Sequence, residues 1–540
     1  MTETSSLNQY NKANDIIKIR KGKGLLLTYV IMSIKAENSR IAKNTISLYI
    51  RTVIVLFVSL YTSRLVLQAL GETDLGIYNL VGGIVSLMAF LQAAQTKSTS
   101  RFITYELGLG GEPSKLSRIY SICMTIHILL AIIIVIIAET LGLFIINEYT
   151  QIPTSRMVAA NLVYQFSILT FVMHFIRCPL DSVIIAHEDM TVYAYMSILE
   201  VSLQLGLVFA VLHYSGDNLI LYGFLVFAVS VVLFFCYLIY RRKTYPVYRY
   251  RFIWDKKESV RVLSFSGWTL LGSSANTFTQ QGVALLFNNF VGLVANTALG
   301  FANQVNAAVG RFVSSFTTAF NPQIIKFQAQ DDINSLFILM NRASRFSFAL
   351  CYVMALPIIS NMEFILSLWL GRVPEYTTEF CQLILVCSII DATTGVFNTS
   401  ITATGKIKNY QIGIALSFLL DLACATIFLY LGIHPAVVFG SRIITRGFMN
   451  MLIGFHYSKK LLAFPLRKYL VEVMIPIGIT ILITIPISMI RMSEGWLSFI
   501  LNTILTVVAI SLCTLYIIMK KHERTTIIKA IKNRFYASKL

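Results

Sequence analysis

Fourteen stretches of this chain are apolar over about twenty residues each, the length a helix needs to cross a hydrocarbon layer roughly 30 Å thick. In lipid a spanning backbone must satisfy its own hydrogen bonds, and runs of this length do so as helices. The spans predicted in this way are 45–68, 76–98, 118–141, 157–178, 191–212, 219–240, 261–287, 294–319, 344–367, 380–402, 410–431, 435–457, 469–490 and 497–519. An all-α integral membrane protein with about 14 transmembrane helices is therefore expected. With 56% apolar and 13% charged residues, the chain lacks the polar skin that a soluble enzyme of 540 residues needs.

The basic residues set an orientation. If the N-terminus is cytoplasmic, 36 of the 45 Lys and Arg fall in cytoplasmic segments and 3 (Arg156, Arg372, Arg491) in external loops, which the positive-inside rule favours. An even number of spans then puts both termini in the cytoplasm. The net charge of +19 is accounted for by these short loops, so nucleic acid is not an expected partner. Residues 1–44 read as a cytoplasmic basic leader. Its apolar stretch from Leu25 to Ile34 is too short to span and has no cleavage site of the secretory kind. The eight cysteines lie in or beside apolar helical stretches without CxxC spacing, and no HExxH occurs, so neither disulfides nor a metal site nor a cofactor is expected.

An internal repeat with an offset of 221 residues is visible in the spacing of the spans. Leu67-Gln68-Ala69-Leu70-Gly71 falls on Asn288-Asn289-Phe290-Val291-Gly292, Gly111-Glu112 on Asp332-Ile333, and Leu143-Phe144-Ile145 on Phe364-Ile365-Leu366. Six helices per unit give both units the same orientation, related by a pseudo-twofold axis along the membrane normal. The expected organisation is an N-terminal six-helix lobe (45–240), a cytoplasmic linker (241–260), a C-terminal six-helix lobe (261–457), two appended helices (469–519) and a basic tail (520–540).

Charges inside spans are expensive and should face the bundle interior, a cavity or one another. They are Arg51, Arg64, Arg177, Glu200, Arg311, Asp391, Asp421, Arg442 and Arg446. Arg51 and Arg64 are separated by thirteen residues, and at about 100° per residue they point roughly 220° apart on a straight helix. Asn276, Gln280 and Gln281 on one span and Asn303, Gln304, Asn306 and Arg311 on the next form either a polar wall for a substrate or a set of helix-to-helix hydrogen bonds. The second span carries Gln92 and Gln95. Glu200 and Asp421 occupy equivalent points of the two units, as ligands of a coupling proton or sodium ion or as the acid halves of ion pairs within each lobe.

The stretch Asn44 to Gly71, with Leu48-Tyr49-Ile50-Arg51 and Ser59-Leu60-Tyr61-Thr62-Ser63-Arg64, resembles the polysaccharide and lipid-linked oligosaccharide flippases of the multidrug, oligosaccharidyl-lipid and polysaccharide exporter superfamily, in particular the O-antigen flippase branch. Gly76-Ile77-Tyr78-Asn79-Leu80-Val81-Gly82-Gly83, Ser264-Phe265-Ser266-Gly267-Trp268, Phe320-Asn321-Pro322-Gln323 and Phe364 to Gly371 extend the resemblance over about residues 40–520. It implies a V-shaped pair of lobes in the bacterial inner membrane that flips an undecaprenyl-diphosphate-linked oligosaccharide for surface polysaccharide assembly, with polysaccharide polymerases and membrane lipids as partners. It also implies a cationic central cavity, for which Arg51, Arg64 and Arg311, helped by Gln280 and Asn306, are the residues of the right type. Arginine suits a diphosphate because its planar fork bonds two oxygens at once. The absence of a GxxxxGK[ST] loop points away from ATP hydrolysis. The rival readings are an ion-coupled multidrug or organic-cation antiporter, which calls for a more acidic and aromatic cavity, and a membrane glycosyltransferase or polymerase, which calls for a larger catalytic loop than any here.

Overall fold

The computed structural model describes residues 44–525 except 60, 72, 84, 86, 87, 150, 151, 491–494 and 522. The leader, Arg491 and most of the basic tail lie outside the described residues. Among the described residues fourteen long helices overlap the expected spans, that at 76–98 only from Ala89 onward, and eleven of them are long and apolar enough to cross a membrane: α1 (Asn44–Gly71), α2 (Ala89–Gly108), α3 (Pro113–Glu148), α4 (Thr154–Ala186), α5 (Met190–Leu212), α6 (Asn218–Thr244), α7 (Lys256–Phe290), α8 (Leu293–Ala329), α9 (Ile333–Ser360), α10 (Thr377–Ala403), α11 (Lys408–Tyr430), α12 (Pro435–Leu462), α13 (Leu466–Ser488) and α14 (Trp496–Ile518). A short helix, Met362–Leu370, follows α9.

Local chemistry explains many of the boundaries. Asp217, Asp255 and Asp332 cap α6, α7 and α9 by accepting bonds from backbone N–H groups of the first turn. Prolines stand in the first turns of α3 and α12, where a missing N–H costs nothing. Several helices run beyond the apolar windows that predicted them. The span expected at 76–98 ends in a helix that continues to Gly108, so Arg101, which lies beyond the expected span, is also a helical residue. Hydropathy misses such an extension because its polar residues, Thr99, Arg101 and Thr104, are buried against other helices and not in lipid.

The repeat is carried by the packing. In the first half α4 packs on α2, α3 and α6, and in the second half its equivalent, α10, packs on α8, α9 and α12. In the first half Leu65, Val66, Ala69 and Leu70 of α1 pack with Leu207, Val208 and Val211 of α5, and this pairing is matched in the second half by α7 with α11. Backbone details follow the same 221-residue offset. Gly71 and Gly292 both adopt positive φ (72° and 108°) after the first helix of each unit, as do Gly110 (112°) and Asp331 (56°) after the second. α13 and α14 pack on each other and on α9.

The two halves meet through α2, which lies against both α7 and α8. A mixed cluster of Phe102, Ile119, Ile122, Cys123 and Ile126 with Val262, Phe265 and Ile407 joins them at the end that carries the basic loops. There the C-terminal turns of α2 and α8 touch. A Cβ on Gly108 would stand 2.7 Å from Ala329 Cβ and 2.9 Å from Lys326 Cα, so only glycine permits this approach.

Candidate functional site

Two cavities lie between the halves, and a third adjoins them inside the second half. The first, about 390 Å³, is lined by Arg51, Thr52 and Ser59 of α1, Tyr193 of α5 and Arg311, Ser314, Ser315 and Thr318 of α8. The second, about 510 Å³, shares Thr318 and adds Gln92, Thr96, Lys97 and Arg101 of α2, Asn321 of α8 and Thr399 of α10. The third, about 300 Å³, shares Lys97 and lies inside the second half, among Asn276 of α7, Asp391 and Asn398 of α10, Gln411 of α11 and Arg446 and Asn450 of α12. The first and second meet at Thr318 and the second and third at Lys97, and the three together are called the polar cleft. Arg51, Lys97, Arg101, Arg311 and Arg446 line it, and Asp391 is the one acid among the lining residues.

Arg51 is held over the Tyr193 ring, 4.9 Å from its centroid, and Thr52 shares a 2.7 Å hydrogen bond with Ser315, which fixes α1 against α8. Arg311 is exposed on a face of α8 that continues through Gly300, Asn303, Gln304, Ala307, Ala308 and Ser314. That face repeats every three to four residues, so it forms one stripe, and a polar stripe on a membrane helix belongs against a water-filled space. Arg446 lies in a π-helical segment of α12, Ile443–Phe448, beside the Phe418 ring.

The five residues expected to bind a substrate are not gathered at one point. Arg51 and Arg311 share a cavity, while Arg64 is exposed and absent from the lining of all three. Gln280 donates to Asn276 at 3.3 Å and so neighbours the third cavity. Asn306 accepts a hydrogen bond from Ser388 of α10, an inter-helix contact within the second half. Glu200 and Asp421 both have basic partners within their own halves. Arg177 reaches Glu200 and Asp181 at 3.5 Å each. Arg442 meets Asp421 at 3.0 Å, and Thr445 donates to the same carboxylate at 2.9 Å.

Sequence reasoning counted Lys97 and Arg101 only among the cytoplasmic basic residues, and noticed Asp391 and Arg446 only as charges inside spans. The available signal was periodicity: Gln92, Thr96 and Lys97 at the end of the predicted span continue at helical spacing to Ser100 and Arg101 beyond it.

The floor of the cleft is closed at the end with the basic loops. Arg101 donates to the Ala403 carbonyl at 2.8 Å, Lys97 to Asn398, and Ser266 to Gln95 at 3.2 Å. Glu188, in the left-handed conformation between α4 and α5, binds Lys326 of α8 at 2.6 Å and accepts from Gln323 at 3.2 Å.

No protein-family model and no curated protein matches the chain. Solved structures do. A MATE structure in a bent conformation aligns with a TM-score of 0.69 at 11% identity, over 80% of this chain and 97% of that one. An outward-facing multidrug resistance MATE family transporter of the MOP superfamily gives 0.63 at 14%, covering 79% and 96%. The Vibrio cholerae MATE transporter VcmN, in a mutant form, gives 0.61 at 14%, covering 80% and 98%. The chain has the MATE fold.

Proposed function

We propose that this chain is a membrane transporter that moves an amphiphile with an anionic, hydrated head group across the bilayer by alternating access. The head group passes through the cleft and the lipid tail stays in the membrane. The observation that carries this reading is the charge of the cleft, with five cationic residues to one acid. Moving a diphosphate through hydrocarbon is prohibitive unless opposite charge and replacement hydrogen bonds are supplied on the way. Arg51 and Arg311, approaching from opposite halves, supply both. Within this class a lipid-linked oligosaccharide of the undecaprenyl-diphosphate type is the substrate suggested by the sequence resemblance, flipped from the inner to the outer leaflet of a bacterial inner membrane. With the basic loops cytoplasmic, the closed floor lies on the cytoplasmic side and the conformation is outward-facing.

A second reading is an ion-coupled multidrug or organic-cation antiporter. The structural likenesses by themselves favour it, since one of those proteins is described as a multidrug resistance transporter. Asp391, in the cleft beside Arg446, is also a group that a coupling cation or a cationic drug can approach. Fold likeness carries no substrate identity, so the charge of the site weighs more here.

The two are separated in proteoliposomes. Reconstituted protein is offered a fluorescent polyprenyl-diphosphate sugar lipid, assayed by leaflet-specific quenching, and in parallel ethidium with an imposed proton or sodium gradient. The flippase reading expects movement of the sugar lipid, lost in the Arg51→Gln, Arg311→Gln double variant. Gradient-driven ethidium transport without sugar-lipid movement replaces it with the antiporter reading.

A further inference from the structure

A fourth cavity, about 520 Å³, opens beside the closed floor; it shares Arg101 as a wall with the second cavity and is otherwise lined by residues that line none of the cleft cavities. Its walls carry Arg101 of α2, Arg261 and Trp268 of α7, Lys406 and Lys408 at the start of α11, and Lys460 of α12, and none of its lining residues is acidic. The carboxylate bonded to one of these cations is Glu258, 3.3 Å from Arg261 and one turn before it on the same helix. Several contacts hold the arrangement. The Arg101 guanidinium is buried against the Phe102 and Tyr105 rings at 4.8 and 4.4 Å, and Lys408 lies over Trp268 at 5.2 Å. Gly405, at φ 78°, lets the loop pass Arg101, where a Cβ would come within 2.9 Å of the guanidinium. Asn409 and Tyr457 add uncharged polar groups to the wall.

Five cations converge here, with Glu258 beside Arg261 as the one carboxylate among the described residues bonded to any of them, and like charges repel. They call for an anion. Deeper along the same helices the surface turns apolar: Leu271, one turn from Trp268, and Leu416, two turns from Asn409, are 41% and 59% exposed. α7 and α11, which carry these exposed leucines, pack side by side and both wall the cavity. A cationic pocket on helices whose surface turns apolar one to two turns deeper suits an amphiphile in the plane of the membrane better than a soluble anion.

We infer that this cavity is a binding site for the phosphate head group of an anionic phospholipid in the leaflet at the closed end, distinct from the transport cleft. Arg101 and Phe102 belong to the first half and the remaining walls to the second, so the site is complete only while the floor is closed. A lipid bound there favours the closed-floor state, because a ligand shifts an equilibrium toward the state it binds better. The inference is independent of what the cleft carries.

The test uses the full chain in nanodiscs of phosphatidylcholine with or without phosphatidylglycerol, which have the same lipids in both leaflets and so do not depend on orientation in the cell. Lipid retention is read by native mass spectrometry and protection of residues 404–409 by hydrogen exchange. The parent should retain phosphatidylglycerol and protect the loop. The triple variant Arg261→Gln, Lys406→Gln, Lys460→Gln should lose retention about a hundredfold, at roughly fivefold per basic residue. A control triple with the same charge change, Arg249→Gln, Lys256→Gln, Lys257→Gln, should retain it. If the pocket triple does not fold, Lys406→Gln and Lys460→Gln singly should each weaken retention about fivefold. Equal loss in the control, no preference for phosphatidylglycerol, or displacement of the lipid by millimolar inorganic phosphate overturns the proposal.

Discussion

Arg51 and Arg311 illustrate what a single residue contributes when the fold brings it to its counterpart. Both line the cavity between α1 and α8, and no acid shares that lining. If they bind a diphosphate through their planar forks, Arg311→Lys should lower sugar-lipid movement about tenfold at unchanged protein level, the equivalent of one lost charge-assisted hydrogen bond. Near-parental transport would remove the residue from the mechanism. The helical angle between Arg51 and Arg64 was legible in the sequence, and it separates them in the structure. The pairing of Arg51 with Arg311 was not, because it depends on α1 and α8 becoming neighbours across the two lobes. A different residue-scale prediction concerns Asp217, outside the spans. Partial burial raises its carboxyl, but hydrogen bonds from Arg156 and from the Ile220 and Leu219 N–H groups outweigh this and hold it below the ordinary carboxylate value. A depressed folded value means stabilisation that is present at neutral pH and lost as pH falls below about 4. Asp217→Asn should therefore lower the melting temperature at pH 7 and flatten its fall between pH 5 and 3, measured by thermal unfolding in detergent.

At the scale of elements, the crossing of α2 and α8 governs the floor of the cleft. The two C-terminal turns are equivalent in the repeat and meet where Gly108 faces Ala329 and the Lys326 backbone. Gly108→Val must push the helices apart, at an overpacking cost of about 1–3 kcal/mol. That is the size of an ordinary conformational equilibrium, so the substitution should open the floor without unfolding the protein. Thr402→Cys, whose residue is buried in the floor, reports on this. Its reaction with a soluble thiol reagent should quicken about tenfold or more in the Gly108→Val background, and an unchanged rate would show that the crossing does not hold the floor. The sequence repeat foretold that two such helices exist in equivalent places. It did not foretell their contact, because the amphipathic ends of α2 and α8 bury their polar face against each other's lobe, and a hydropathy window scores that face as loop.

For the whole molecule, the partition of basic residues makes a prediction about sidedness that the fold leaves open. Glu148→Cys at the end of α3 should react with an impermeant thiol reagent on intact spheroplasts, and Lys257→Cys at the start of α7 only after lysis; both positions are exposed. The parent chain, whose cysteines are buried or half-buried, is the blank. The reverse pattern would invert the reading of the conformation. The polar faces of α7 and α8 have a further consequence, for synthesis. Among the described residues eleven helices are long and apolar enough to cross a membrane, and these two are not among them. An arginine near the middle of a spanning segment costs the insertion machinery about 2.5–3.5 kcal/mol, and α8 carries Arg311. The main partners of the pair are α10 for α8 and α11 for α7, which leave the ribosome later. Nascent α7 and α8 must then linger at the translocon until those helices arrive. Chains stalled near residue 345 should leave Gln304→Cys open to a water-soluble maleimide, whereas chains stalled beyond residue 460 should shelter it within a folded lobe.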